Sequence, residues 1–182
     1  MVPNGLVMSA QFCPASCPLK LLDRKPERLV VTGLRCCMAG YAYGDIECWE
    51  TAWRSYSMEL GTDDARKLMG ELQYWVRTLR AHSTRPLSVF PHGCGHVCRD
   101  ECMALSLIAA LQDHDQPAAL LAARHLSGAH EGDAPLELAA AGRSYADALI
   151  AAGQKLLSVP ASVIHSIAAF GSGPAAAQET LH

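Results

Sequence analysis

The sequence predicts an all-α fold: an irregular bundle of five or six helices, with an irregular N-terminal arm and a frayed C-terminal tail. Three observations predict it. Apolar residues recur at spacings of three and four in one segment after another, the mark of amphipathic helices. Residues suited to helix ends fall between those segments. Neither strand-like alternation of useful length nor an internal repeat is present. The chain has 182 residues, a length that suits one domain and buries a sizeable core without staples. Composition divides it into an arm at 1–27, a helical core domain at 28–128, and an alanine-rich helical extension and tail at 129–182.

The arm is punctuated by Pro3, Pro14, Pro18 and Pro26, each of which pushes the preceding residue away from helix. Cys13 and Cys17 lie within it. A first helix is expected from Glu27 to Tyr43. Val30, Leu34, Cys37 and Tyr41 form its apolar stripe, beside a small-residue stripe of Gly33, Cys36 and Gly40 that permits close approach of another backbone. Gly44 suits a helix end and Asp45 an N-cap. In the next helix Ile46, Trp49, Trp53, Tyr56 and Leu60 read as a buried aromatic stripe. Gly61 ends that helix. A third, from about 63 to 82, buries Ala65, Leu68, Leu72, Trp75 and Leu79. Asp63 and Asp64 in its first turn and Arg77 and Arg80 near its last both complement the helix dipole.

A long loop, 83–95, leads into the stretch that organises the chain, Pro91-His92-Gly93-Cys94-Gly95-His96-Val97-Cys98-Arg99-Asp100-Glu101-Cys102. A helix over 96–112 is expected to follow and to form the centre of the bundle. Helices are then expected near 117–127, from Pro135 to Leu157, and over 162–170.

Cys94, Cys98 and Cys102 are spaced i, i+4, i+8. On a helix such residues share a face with Cβ atoms about 5–6 Å apart. Three thiols in a row, with a histidine nearby, can clamp a soft metal ion, since structural zinc takes four sulfur or nitrogen ligands. The expected ligands are Cys94, Cys98 and Cys102 with His92 or Cys37 as the fourth. Zinc is the expected metal, an iron–sulfur cluster the lesser alternative, and the metal would fix the long loop onto the bundle. Two other readings stand beside this one. Cys98, Cys102, Leu105 and Ala109 also form a core stripe, so the cysteines can be packing groups in a metal-free interaction or regulatory module. Alternatively the row is a thiol switch. No C-x2-C occurs, so the pattern is not that of a zinc finger.

From Arg77 to Arg99 the chain carries four arginines and no acid, which makes Arg85 and Arg99 candidates for holding an anion. Asp100 and Glu101, in the first turn of the central helix, suit its dipole or support a metal-bound histidine.

Nucleotide-binding, α/β-hydrolase and zinc-protease motifs are absent, and no catalytic constellation emerges. A formal net charge of −3 argues against binding nucleic acid through the whole chain. The N-terminus lacks the charge and apolar run of a secretory signal, and no apolar run is long enough for a membrane span. The chain is therefore expected in the cytoplasm, where eight cysteines stay reduced. A protein partner or a second copy of the chain is the expected kind of partner.

Overall fold

The computed structural model describes residues 7–8, 21–129 and 132–170. Cys13, Cys17 and the expected tail from 171 lie outside the described residues. The architecture is all-α, with seven helices among the described residues: α1 (Lys25–Tyr43), α2 (Ile46–Leu60), α3 (Thr62–His82), α4 (Arg99–Gln112), α5 (Gln116–Ser127), α6 (Ala134–Ala151) and α7 (Ala161–Phe170). A 3-10 turn at Leu21–Asp23 leads into α1. Two two-residue strands, β1 (Val7–Met8) and β2 (Ser88–Val89), pair in parallel, with Val7 opposite Ser88. No helix among the described residues is long and apolar enough to cross a membrane.

Helix α4 is the axis of the bundle. Met103, Ala104, Leu105, Leu107, Ile108, Ala109, Ala110 and Leu111 are all buried, so the helix is apolar on every side, as a helix enclosed by others must be. It packs on α5, α6, α1 and α7. Helices α1, α2 and α3 pack against one another in chain order, and α3 joins them to α6. The alanine-rich segment supplies Leu138, Tyr145 and Leu149 to the same buried cluster as Leu72 of α3 and Leu107 of α4.

Helices α1 and α3 bury the stripes that their periodicity predicts. Val30, Leu34 and Cys37 are buried, as are Ala65, Leu68, Leu72, Trp75 and Leu79. Helix α2 departs from expectation. Ile46 is 71% exposed and Trp53 39% exposed, while the inward face is Cys48, Ala52 and Tyr56. The small residues of α1 explain the rotation. A Cβ at Gly33 would lie 2.4 Å from the Tyr56 hydroxyl, and one at Gly40 would lie 2.5 Å from the Trp49 indole. Two aromatic side chains of α2 thus rest directly on the α1 backbone, and that contact fixes which face turns inward.

Helix α6 is shorter than expected, ending at Ala151 rather than Leu157. Gly153 is left-handed at φ 71°, a turn that suits glycine. Beyond it the backbone is captured by Gln112 at the end of α4. The Gln112 amide donates to the Gln154 carbonyl at 2.9 Å and its oxygen accepts from the Leu156 N–H at 2.9 Å. Leu157 N–H then donates to Glu27 at 2.8 Å, tying this segment to α1.

Candidate functional site

The stretch 83–98 is irregular apart from β2, and two arginine–carboxylate pairs hold it in place. In the first, Arg35 of α1 meets Glu101 of α4 with both side chains almost fully buried. Arg35 Nε donates to Glu101 Oε1 at 2.6 Å and Nη2 donates to Oε2 at 2.9 Å. The remaining donors of the guanidinium reach the loop, at the Cys94 carbonyl (2.6 Å) and the His96 carbonyl. The carboxylate in turn accepts from the Phe90 and Cys98 N–H groups, each at 2.9 Å. Every hydrogen bond of this pair to the loop is to backbone, so the pair sets the path of the loop. The guanidinium also lies 6.0 Å from the Phe90 ring centroid, within cation–π range.

In the second pair, Arg85 grips Asp100 through two bonds of 2.8 and 2.6 Å. Asp100 also accepts from the Ser88 N–H at 2.9 Å, and Arg85 donates to the His125 carbonyl at 3.1 Å. The hydrogen bonds that Arg85 donates to Asp100 raise its pKa above the ordinary value. The adjacent acids Asp100 and Glu101 thus point to different arginines, and both anchor the loop.

The same pairs decide where α4 begins. Helix is expected from residue 96, but Cys98 is the N-cap, with extended backbone at φ −89° and ψ 175°. Glu101 at N3 reaches back to the Cys98 N–H to complete a capping box, satisfying a donor that helix ends otherwise leave open. Of the two thiols expected on this helix, Cys98 is moved to its N-cap. Only Cys102 lies within α4, Cys98 caps it, and Cys94 belongs to the loop.

The thiols face different surroundings. Cys98 Sγ donates to the Ser88 carbonyl at 3.0 Å, and burial pushes its pKa up to about 12. Cys37 is fully buried in α1, where burial and then the neighbouring Cys36 raise its pKa to about 12. Cys36 is buried beside it, with a pKa pushed up to about 12, again chiefly by burial. Cys48 donates to Asp45 at 3.3 Å, and burial and that carboxylate raise it to about 11. Cys94 and Cys102 are half-buried, and His92 is exposed. Among the described residues no three His, Cys, Asp or Glu side chains converge to hold a metal ion.

Two cavities flank the loop. One, of about 280 Å³, is lined by Arg35, Asp45, Cys48, Phe90 and His92 among others. The other, of about 470 Å³, is lined by Arg85, Arg99, Arg124 and His125 with Gly128, Ala168 and Ala169. The two arginines that sequence alone marks for an anion thus share a cavity, and the fold adds Arg124 and His125. Sequence gave no sign of that convergence, because α5 lies beyond α4 in the chain. It also gave no reason to single out Arg35. The signal available was the C-x-x-E spacing from Cys98 to Glu101, a capping box with cysteine in the usual serine position.

Comparison with protein-family models, curated proteins and solved structures gives no match.

Proposed function

We propose that this chain is a helical interaction or regulatory module whose cysteines pack the interior, with the loop 83–98 as its rigid presenting surface. One observation carries the reading. Cys36 and Cys37 are enclosed in the core and the half-buried Cys98 thiol donates to the Ser88 carbonyl, whereas reactive cysteines are exposed thiolates. The Cys98 proton is already engaged by a carbonyl, and Cys37 is enclosed in hydrocarbon. Two ion pairs, one buried and one half-exposed at Arg85, hold the loop backbone and supply the rigidity that a presenting loop needs, and recognition commonly resides on loops held by a scaffold.

A second reading, a structural zinc site or less favourably an iron–sulfur cluster, draws support from one contact. Pairing of Val7–Met8 with Ser88–Val89 tethers the arm to the loop, and Cys13 and Cys17 follow Met8 by five and nine residues.

Elemental analysis and thiol counting separate the two. For the packing reading, protein purified without added metal carries less than about a tenth of an equivalent of zinc or iron, against the full equivalent that a structural site holds. A disulfide reagent at pH 8 then leaves Cys36, Cys37, Cys48 and Cys98 unmodified until denaturant is added. A stoichiometric metal that disappears in Cys13→Ser or Cys94→Ser replaces the first reading with the second.

A further inference from the structure

The cavity of about 470 Å³ beside α4, α5 and α7 carries charge that the loop anchors do not use. None of the described residues that line it is acidic. The carboxylate nearest in the network is Asp100, which is spent on Arg85 and lies 3.7 Å from Arg99 Nη1. Arg85 and Arg99 thus share that carboxylate and Arg124 adds a third guanidinium, so the described residues of the lining carry an excess of positive charge. The Arg99 side chain lines the cavity and is about 30% exposed. The Arg124 side chain is exposed at the rim, and it makes no hydrogen bond or ion pair among the described residues.

The surroundings specify the ligand further. Arg99 opens α4, so the positive end of that helix dipole lies on the same side as the anion would. The α5 C-terminus is the opposing influence, but Arg124 and His125 in its last turn offset its negative end. Guanidiniums at several angles suit the oxygens of a phosphate, which accept paired N–H bonds. The floor of Gly128, Ala168 and Ala169 offers no charge and little bulk. The volume falls within the range of about 300–1,000 Å³ usual for small-molecule sites, leaving space beside the phosphate for an ester group.

We propose that this cavity binds a small phosphate monoester, with its dianion on Arg99 and Arg124 and with Arg85 fixed behind them by Asp100. The site goes beyond the module reading above and does not depend on it. Calorimetric titration of the full chain with phenyl phosphate, inorganic phosphate and sulfate, at constant ionic strength, tests it. Phenyl phosphate is expected to bind with 1:1 stoichiometry, more tightly than inorganic phosphate, with sulfate weaker than either. Arg124→Gln and Arg99→Gln are each expected to weaken phenyl phosphate at least about tenfold, the equivalent of losing about 1.4 kcal/mol of charged hydrogen bonding. Arg66→Gln, on the exposed face of α3, leaves binding unchanged. Arg124 is exposed, so its variant keeps the wild-type melting temperature without ligand, which separates lost binding from lost folding. No saturable binding to the wild type, equal affinity in Arg124→Gln, or tighter binding of a single-stranded oligonucleotide that displaces phenyl phosphate each overturns the proposal. Binding of inorganic phosphate but not of the ester overturns its assignment to a monoester.

Discussion

At the scale of single residues, the most consequential contact is Arg35 with Glu101. Both side chains are removed from water, which costs several kcal/mol per ion before the attraction is counted. Six hydrogen bonds, four to loop backbone, offset that cost. The pair is therefore sensitive to loss of one member. Glu101→Ala leaves the Arg35 charge buried without its partner and is expected to destabilise the fold by about 3–5 kcal/mol. Joint replacement, Arg35→Met with Glu101→Leu, is expected to cost less than the two single changes added together, because neither charge is stranded. Urea unfolding of the four proteins gives the coupling energy. Additive costs would show that the two side chains act separately. Neither residue stands out in the sequence, since a separation of 66 positions hides the partnership. Glu101 reads there as a dipole-pairing acid.

Among the elements, α1 and α2 show how small residues direct a neighbour. Helix periodicity marks Ile46, Trp49, Trp53, Tyr56 and Leu60 as one face, and large aromatics on one face ordinarily signal core. Yet Gly33 and Gly40 admit Tyr56 and Trp49 so closely that α2 turns Cys48 and Ala52 inward and leaves Trp53 partly exposed. Gly33→Ala would press a methyl into Tyr56 and Leu72, and is expected to cost about 1–3 kcal/mol by overpacking. Gly70 lies in α3 with open space around it. Gly70→Ala is expected instead to stabilise by up to about 1 kcal/mol through helix propensity. Melting temperatures that move in the same direction for both variants would refute the close-approach account of α1 and α2.

For the whole molecule, the cysteines couple stability to alkaline pH. A thiol with an ordinary value of 9.0 rises to about 12 at Cys36, Cys37 and Cys98 in the folded state. Below pH 9 these thiols are protonated whether the chain is folded or not, and their contribution is fully present. Between pH 9 and 12 the unfolded chain loses those protons and the folded chain keeps them. Stability therefore falls through that window, at a slope of up to about 1.4 kcal/mol per pH unit for each thiol. Chemical denaturation at successive pH values is expected to show this decline, and Cys98→Ala is expected to flatten it by one thiol's share. A profile unchanged from pH 8 to 11 would mean that the thiols do not stay protonated inside.

The sequence by itself determined the helical class and, within a few residues, the course of α1, α3 and α5. Their stripes and end residues act locally, over one or two helical turns, where a linear pattern and a physical neighbourhood coincide. It also marked Arg85 and Arg99 as close in the chain. Tertiary structure decided what is not local: which face of α2 turns inward, and where α6 stops, since Gln112 of α4 seizes the backbone beyond Ala151. Tertiary contact likewise decided the fate of the cysteine row. A spacing of four aligns side chains only where the backbone is helical, and Glu101 with Arg35 holds residues 94–98 in a non-helical path. Charge convergence is nonlocal in the same sense: Arg124 joins Arg85 and Arg99 because α5 folds back along α4, a meeting that depends on packing rather than on order along the chain.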